Sequence, residues 1–400
     1  MGNKEKKKEK SIRSMNRLKK CSFILGVIVL LLGITSCGKN KDTSWNQRSH
    51  TISKELTYDH SMNLKYATEF TVDYYSDGFT LISISDGSRF LQSSEEKEIP
   101  EDLDSDIAVL NSNIDHIYLV ASATMDMFNS IDALDKISLS GTKEQDWYIE
   151  NAKKAMEEGR IQYAGKYNAP DYELILSSEC NLAVESTMIY HTPDVKEKLE
   201  SFDIPVLVDH SSYESHPLGR TEWVKLYGVL TGKETEAEAA FKEQEKHYTN
   251  LGDVKDSGKT VVFFYVTSNE TVVVRKTNDY VSKMIELAGG TYLFQDLADE
   301  ENASSSVNMQ MEEFYAKAKD ADYLVYNSTI DGELHSVDDL LAKSAFFEDF
   351  KAVQEGNVWC TTQNIYQQSM NSGRMIEEFN KMLTSEETSD DTSKYLFQLP

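Results

Sequence analysis

Residues 234–251 read ETEAEAAFKEQEKHYTNL, and this stretch decides the architecture. It contains neither Gly nor Pro, and its apolar side chains fall on one face of a helix. Those side chains are Ala237, Ala240, Phe241, Tyr248 and Leu251. A helix of this length spans about 27 Å. The stretch therefore predicts a single rigid helix that is long enough to join two separately folded lobes.

Strands and helices alternate on both sides of this helix, which indicates parallel βα units. Short apolar runs predict strands, and amphipathic segments predict helices between them. The predicted strands are 117–120, 182–184, 206–208, 261–266, 272–274 and 323–326, and the predicted helices are 123–133, 279–288, 309–319 and 370–383. A hairpin or short-meander pattern over 70–84, with turns at Asp77-Gly78 and Asp86-Gly87, precedes them. The expected fold class is α/β, with two Rossmann-like lobes joined by one long linker helix and a ligand cleft between the lobes.

The expected domain limits follow from these patterns. The N-terminal lobe covers 60–230, the linker helix lies within 232–252, and the C-terminal lobe covers 253–384. The acidic tail 385–400 ends in an apolar segment, 395–399, that is expected to dock on the protein.

A basic leader and an apolar run, 23–34, begin the chain. The run is shorter than the ~20 residues that span a bilayer as a helix, but it suits a secretory signal peptide over 1–36. Residues 34–37, Ile-Thr-Ser-Cys, resemble the bacterial lipobox, which predicts that Cys37 is lipidated; translation starts at Met1 or at Met15. The mature chain is then extracytoplasmic and anchored in the membrane by lipid, with residues 37–55 as a flexible stalk.

The charge balance restricts the partners. Lys and Arg number 41 against 67 Asp and Glu, a net charge of −26. Nucleic acid is not an expected partner, because phosphate binding needs a basic surface. Contact with an acidic membrane is expected only through the lipid anchor.

The sequence lacks the common catalytic motifs, which favours a protein that is not an enzyme and has no cofactor. The glycines around Gly228 and Gly232 lack the spacing of a phosphate-binding P-loop, and no nucleophile elbow, His-Glu-x-x-His or Cys-x-x-Cys is present. His210 and His216 come nearest to a histidine cluster but lack ligand spacing, so no metal ligand is predicted. Cys180 and Cys360 are expected to be free thiols, although a bridge between lobes stays open.

Several segments resemble one known family. Residues 165–176, GKYNAPDYELIL, followed by NLAV at 181–184, resemble the pattern G…P-x-x-E-x-I-L-x-x-x-P-D-L-V of the substrate-binding proteins for ferric siderophores, haem and cobalamin. Cys180-Asn181 replaces the usual Pro-Asp. Further matching segments at 215–223, 287–290, 311–314 and 321–325 occur in the family's order, and the resemblance spans about 65–384.

The resemblance implies a receptor that captures a metal chelate, with a ferric siderophore favoured over haem or cobalamin. Its partners would be the permease and the ATPase of an ABC importer. A direct zinc or manganese receptor, an exported enzyme on the same scaffold and an adhesion lipoprotein are the alternatives.

The resemblance also suggests site residues. Aromatic and polar residues at predicted element ends are the candidate ligand contacts: Tyr167, Tyr213, Glu214, Arg275, Tyr280, Asn327 and Trp359. Arg275 is the strongest of them, since a guanidinium can bind chelate carboxylates in a bidentate manner. Glu173 and Glu312 match the family's permease-docking glutamates, with Glu313 as the alternative to Glu312.

Overall fold

An antiparallel sheet, of which the sequence predicted a hairpin or short meander, comes first among the described residues. The computed structural model describes residues 49–93, 95–297, 305–384 and 394–400, so the predictions for 1–48, including Cys37, and for 385–393 lie outside the described residues. The strands of the first sheet, in spatial order, are β1 (Tyr58–Ser61), β2 (Phe70–Tyr75), β3 (Phe79–Ile84), β4 (Arg89–Ser93) and β5 (Ile107–Val109). Only β4 and β5 pair in parallel.

Both faces of this first sheet are covered, because its strands alternate two apolar sets. Val72 and Ile82 pack into the core of the neighbouring α/β unit. Leu81 and Leu91 face a small second core that also contains Ile52 and Leu56. The prediction of a flexible stalk as far as residue 55 is therefore wrong at its end, since Ile52 is 1% exposed.

The first α/β unit contains a parallel sheet of five strands. In chain order its strands and a short hairpin are β6 (Ile117–Leu119), β7 (Ile137–Ser140), β8 (Gln162–Tyr163), β9 (Gly165–Lys166), β10 (Ala169–Pro170), β11 (Leu182–Ser186) and β12 (Val206–Asp209). The sheet order is β12-β11-β6-β7-β8, with β9 and β10 paired separately. The helices of this region are α1 (Thr124–Ser130), α2 (Glu150–Glu157), α3 (Tyr172–Ser177), α4 (Pro193–Glu200), α5 (Pro217–Glu222) and α6 (Val224–Thr231).

The linker helix α7 (Glu234–Thr249) forms where the sequence predicts it and ends two residues earlier than the quoted stretch. Gly232, at φ 68°, separates it from α6 in the left-handed conformation that glycine adopts without steric cost. Ala237 and Phe241 are buried on its apolar face.

The second α/β unit contains a mixed sheet of seven strands. Its strands are β13 (Thr260–Val266), β14 (Val272–Arg275), β15 (Thr291–Tyr292), β16 (Ser306–Met309), β17 (Tyr323–Tyr326), β18 (Val358–Thr361) and β19 (Leu396–Gln398). The order is β16-β14-β13-β17-β18-β19, and β15 also pairs with β13. The helices are α8 (Tyr280–Leu287), α9 (Met311–Ala318), α10 (Val337–Lys343), α11 (Lys351–Gln354) and α12 (Ser372–Thr384). The apolar end of the tail docks as predicted, since β19 pairs with β18.

Two glycines let other helices approach α7 closely. A β-carbon at Gly228, in α6, would lie 2.6 Å from the β-carbon of Ala237. A β-carbon at Gly373, in α12, would overlap the carbonyl oxygen of Gln244. The linker helix is therefore held by one helix from each α/β unit at near-backbone contact.

Buried glutamates fix chain segments by accepting consecutive backbone N–H groups. Glu222, which is fully buried, accepts from the N–H groups of residues 65, 66 and 67 at 2.7–3.0 Å. Glu214 accepts from residues 68 and 69 and from the indole of Trp223. Glu378 accepts from residues 394, 395 and 396, which holds the tail.

Cys180 and Cys360 are free thiols, as predicted, and burial raises the pKa of each to about 11. Cys180 is only partly buried, whereas Cys360 is buried in the core of the second α/β unit. A thiol with a raised pKa is a poor nucleophile at neutral pH, so both act as packing residues.

Glu185 on β11 is a buried carboxyl group whose two oxygens make no hydrogen bond to any described residue. Burial raises its pKa to about 8. The folded protein therefore holds this side chain in its neutral form near pH 7.

We expect Glu222→Ala to lower the free energy of unfolding by about 3–5 kcal/mol, because it leaves several buried N–H donors without an acceptor and removes one of the two carboxylates that pair with the Lys225 ammonium. Glu238 is the matched control, since it pairs with the same ammonium at 3.1 Å but is 44% exposed. Glu238→Ala should cost under about 1 kcal/mol. Urea unfolding of both variants measures the difference, and equal losses would contradict the assigned role of Glu222.

Glu185→Gln should make the folded protein more stable at pH 8, by an amount on the order of 3–5 kcal/mol. In the native protein the unfolded chain ionises Glu185 above about pH 4.5, while the folded chain keeps the proton until about pH 8. Stability from this group is therefore lost as the pH rises between those values, and the advantage of the variant should vanish near pH 4.5. Thermal melts of the native protein and the variant across this pH range test the prediction, with the exposed Glu197→Gln as control. A difference in stability that does not change with pH would refute it.

Candidate functional site

The parallel sheet of the first unit has a topological switch point between β6 and β11. From β6 the chain continues to β7 and β8 on one side, while β11 and β12 lie on the other. Ligands of open α/β sheets bind beyond the carboxyl ends of the strands at such a point. The residues that follow β6, β11 and β12 are therefore the first place to look for a site.

A loop of the second unit, residues 362–371 after β18, crosses to the same end of the first unit. The N–H of Met370 donates to Asp126 at 2.9 Å, and the hydroxyl of Ser369 donates to the carbonyl of Ala123 at 2.7 Å. The hydroxyl of Tyr148 donates to Gln363 at 2.7 Å. The carboxyl-end loops of both sheets thus meet, and burial raises the pKa of Asp126 to about 6 at this contact.

Two arginines stack on two tyrosines where the units meet. The Arg220 guanidinium, on α5, lies 4.3 Å from the ring centre of Tyr280 on α8. Arg275, at the end of β14, lies 4.9 Å from the ring centre of Tyr366, donates to its hydroxyl, and lies 3.6 Å from Asp279. Arg220 Nε is buried and has no partner among the described residues. This Arg–Tyr cluster contains two guanidinium groups and one carboxylate, so it can attract an anionic group.

A second group of polar side chains, the Asp–Tyr–His cluster, lies beyond the carboxyl ends of β11 and β12. The Tyr190 hydroxyl is 2.6 Å from His210 Nε2 and donates to Asp86 at 2.8 Å. Ser85 Oγ lies 3.1 Å from the other imidazole nitrogen. Tyr213 packs edge-on against the imidazole with ring centres 5.2 Å apart. Burial and the neighbouring Asp86 carboxylate raise the pKa of Tyr190.

Three of the predicted ligand contacts are buried inside the units. Glu214 is 2% exposed and its oxygens are occupied by backbone and indole donors, so we assign it to holding residues 68 and 69. Asn327 is 1% exposed and closes the turn after β17 by accepting from Thr329. Trp359 is 6% exposed within β18. Sequence position at an element end therefore did not distinguish buried from accessible polar groups.

The other four predicted contacts lie in loops or at element ends near the place where the loops of the two units meet. Arg275 and Tyr280 join the Arg–Tyr cluster. Tyr213 is 45% exposed beside His210. Tyr167 is half-buried in the short β9–β10 hairpin, where the structure gives it no part in either cluster.

Four residues of the two clusters were not predicted from the sequence: Arg220, Tyr366, Tyr190 and Asp86. Arg220 stood in a segment already quoted for its resemblance, as the one charged residue between Pro217 and Thr221, and that isolation was a usable signal. Asp86 was read only as part of a turn. Its role depends on a contact between the five-stranded antiparallel sheet and the parallel sheet of the first unit, which no local sequence pattern encodes.

His216, by contrast, is the packed histidine that the sequence favoured. Its Nδ1 accepts from the N–H of Leu218 at the start of α5, and its ring stacks on Tyr66. Burial lowers its pKa to about 4, so it stays neutral. Among the described residues, no three His, Cys, Asp or Glu side chains converge as a metal site.

The comparisons with known proteins agree with this architecture. A family described as periplasmic binding protein matches residues 120–364. An uncharacterised lipoprotein of Methanocaldococcus jannaschii is 28% identical over 335 residues, which cover 79% of this chain and 78% of that protein. The family match begins after the antiparallel sheet, which is therefore an addition to the matched region.

Solved structures share the fold at low identity. The haem-binding protein HutB of Vibrio cholerae is similar with a TM-score of 0.53 and 15% identity, covering 66% of this chain and 97% of that one. The vitamin B12-binding protein BtuF of the same organism has a TM-score of 0.51 and 14% identity, covering 69% and 98%. In the part of the chain that the structure describes, the helices are too short or too polar to traverse a bilayer.

Proposed function

Because the chain belongs to the periplasmic binding protein family, we propose that it captures a metal chelate outside the cytoplasm and delivers it to the permease of an ABC importer. The family consists of substrate-binding proteins rather than enzymes. The proposal follows from the two-unit α/β fold, in which the loops at the carboxyl ends of both sheets face each other.

The Arg–Tyr cluster is the observation that carries the choice of ligand. Arg220 from the first unit and Arg275 from the second each lie over a tyrosine ring. Aromatic walls with a few charged anchors suit a large planar or multidentate ligand that carries negative groups. A ligand held here would contact both units at once.

We favour a ferric siderophore over haem and cobalamin. Carboxylate-bearing siderophores and the propionates of haem can each accept bidentate hydrogen bonds from guanidinium groups. Cobalamin offers mainly amide groups, which gain less from paired arginines. Two of the similar structures are those of a haem-binding protein and a vitamin B12-binding protein, so both ligands belong in any binding test.

We propose further that Cys37 is lipidated after removal of 1–36 and anchors the protein. A relative carries the name lipoprotein. The proposed lobes are 60–230 and 253–384, with the linker within 232–252. The antiparallel sheet belongs with the first lobe, because Val72 and Ile82 share its core.

A direct zinc or manganese receptor is the second candidate function, and it needs convergent His and carboxylate ligands. The described residues hold no three such groups together. An X-ray fluorescence scan of the purified protein distinguishes the two classes.

We expect the protein to bind at least one ligand from a panel of ferric siderophores, haem and cobalamin, followed by quenching of tryptophan fluorescence. Arg275→Gln should weaken binding of an anionic chelate by roughly 10- to 100-fold, because a charge-assisted hydrogen bond contributes about 1.5–3 kcal/mol. Arg160→Gln is the control, since Arg160 is exposed and pairs with the exposed Glu158. A complete lack of response to the panel would refute the chelate proposal.

The permease-docking proposal concerns Glu173 and Glu312. Glu173 lies in the first turn of α3, and Glu312 in the first turn of α9. Both are exposed, and neither forms an ion pair with a described residue. Glu313, the alternative, pairs with Lys317 at 3.1 Å. A free carboxylate on the surface of each lobe suits recognition by basic permease residues.

Combining Glu173→Ala with Glu312→Ala should leave ligand affinity nearly unchanged and lower transport in a reconstituted importer by about tenfold or more, because rim charges steer and orient a partner. The control combines Glu197→Ala with Glu355→Ala, two exposed glutamates of which the first lies on α4 and the second follows α11. Normal transport by the first double variant, or a loss of ligand binding, would show that these residues do not dock the permease.

A further inference from the structure

We propose that the Asp–Tyr–His cluster of Asp86, Tyr190 and His210 coordinates a ferric ion that reaches the protein with open coordination positions. This deepens the proposed function and rests on it, since the iron would arrive in a loosely held chelate. The protein would then supply part of the coordination sphere itself, in place of enclosing a saturated siderophore.

The donor atoms are already close to one another. The Tyr190 oxygen lies 2.6 Å from His210 Nε2 and 2.8 Å from an Asp86 oxygen, and the last two atoms are 3.9 Å apart. Neighbouring donors of an octahedral ion with bonds near 2.0–2.1 Å are about 3 Å apart. Small shifts would bring all three onto one face of such an ion.

The surroundings fix the imidazole and leave an approach. Ser85 Oγ, 3.1 Å from Nδ1, orients the ring, as a second hydrogen bond does for most metal-bound histidines. His210 itself is 5% exposed, but Tyr190 and Tyr213 are 42% and 45% exposed. The cluster therefore borders on solvent through these two tyrosine side chains.

The position in the fold is that of a ligand site. Tyr190 follows β11 and His210 follows β12, so two donors come from the carboxyl ends of adjacent strands on one side of the switch point. Asp86 comes from the β3–β4 turn of the added sheet. The sheet that precedes the family match thus completes the cluster.

The donor set suits a hard trivalent cation. Phenolate and carboxylate are hard anionic oxygen donors, and imidazole suits iron. On binding, the Tyr190 O–H bond breaks, its proton passes to solvent, and the oxygen electron pair forms the bond to iron, with no change of oxidation state. The strong negative charge of the chain, −26, also favours a cation over a further anion.

The test uses the full chain without its leader and ferric nitrilotriacetate, a chelate that leaves positions on the metal open. Coordination by Tyr190 should produce the visible charge-transfer absorption of an iron phenolate, and Tyr190→Phe should abolish it. Asp86→Asn and His210→Gln should weaken iron binding by roughly tenfold or more. Tyr58→Phe is the control, because its hydroxyl contacts Ser61 on the same added sheet.

A saturated ferric trihydroxamate should give no phenolate band. Persistence of the band in Tyr190→Phe, or its absence from the native protein, would overturn the proposal; melting curves verify that each variant folds. Binding of panel chelates without a phenolate band would refute this site and leave the proposed function standing. Failure of both the panel and the ferric probe would refute the proposed function as well.

Discussion

A buried carboxylate that accepts several consecutive backbone N–H groups is the interaction on which the assembly of this protein depends. Glu222 and Glu214 hold residues 65–69, the approach to the antiparallel sheet, against α5. Glu378 holds the returning tail in the same way. Each arrangement satisfies donors that would otherwise be orphaned in the interior, which costs about 1–3 kcal/mol apiece. The added sheet and the last strand are therefore attached by polar contacts as well as by apolar packing.

Much of the fold could be predicted because it is encoded locally. The linker helix and six of the twelve strands in the two α/β sheets follow from periodicity within 5–18 residues, and they form close to the expected positions. The five-stranded sheet could not be predicted beyond its hairpin or meander, since the parallel pairing of β4 with β5 joins segments with no alternating pattern between them. The burial of Ile52 likewise depends on a surface that the rest of the chain creates.

The candidate site was less predictable than the fold. Arg275 and Tyr280 were found because each stands at the end of an apolar element, and the structure places both in the Arg–Tyr cluster. Glu214 has the same local appearance, yet its carboxylate faces inward. Whether a polar residue binds a ligand or holds the chain depends on which distant donors fold around it, and a single sequence contains no such information.

The glycine contacts on α7 set the geometry between the two proposed docking surfaces. Gly228 and Gly373 allow α6 and α12 to touch the linker almost backbone to backbone, so the separation and tilt of the lobes are fixed by atoms that cannot rotate away. The linker helix therefore sets the distance between the lobes, and the close contacts at the two glycines hold it against α6 and α12. A transporter that contacts both lobes at once requires a particular distance between them. The spacing of the lobes is therefore a property by which such a transporter distinguishes one receptor from another.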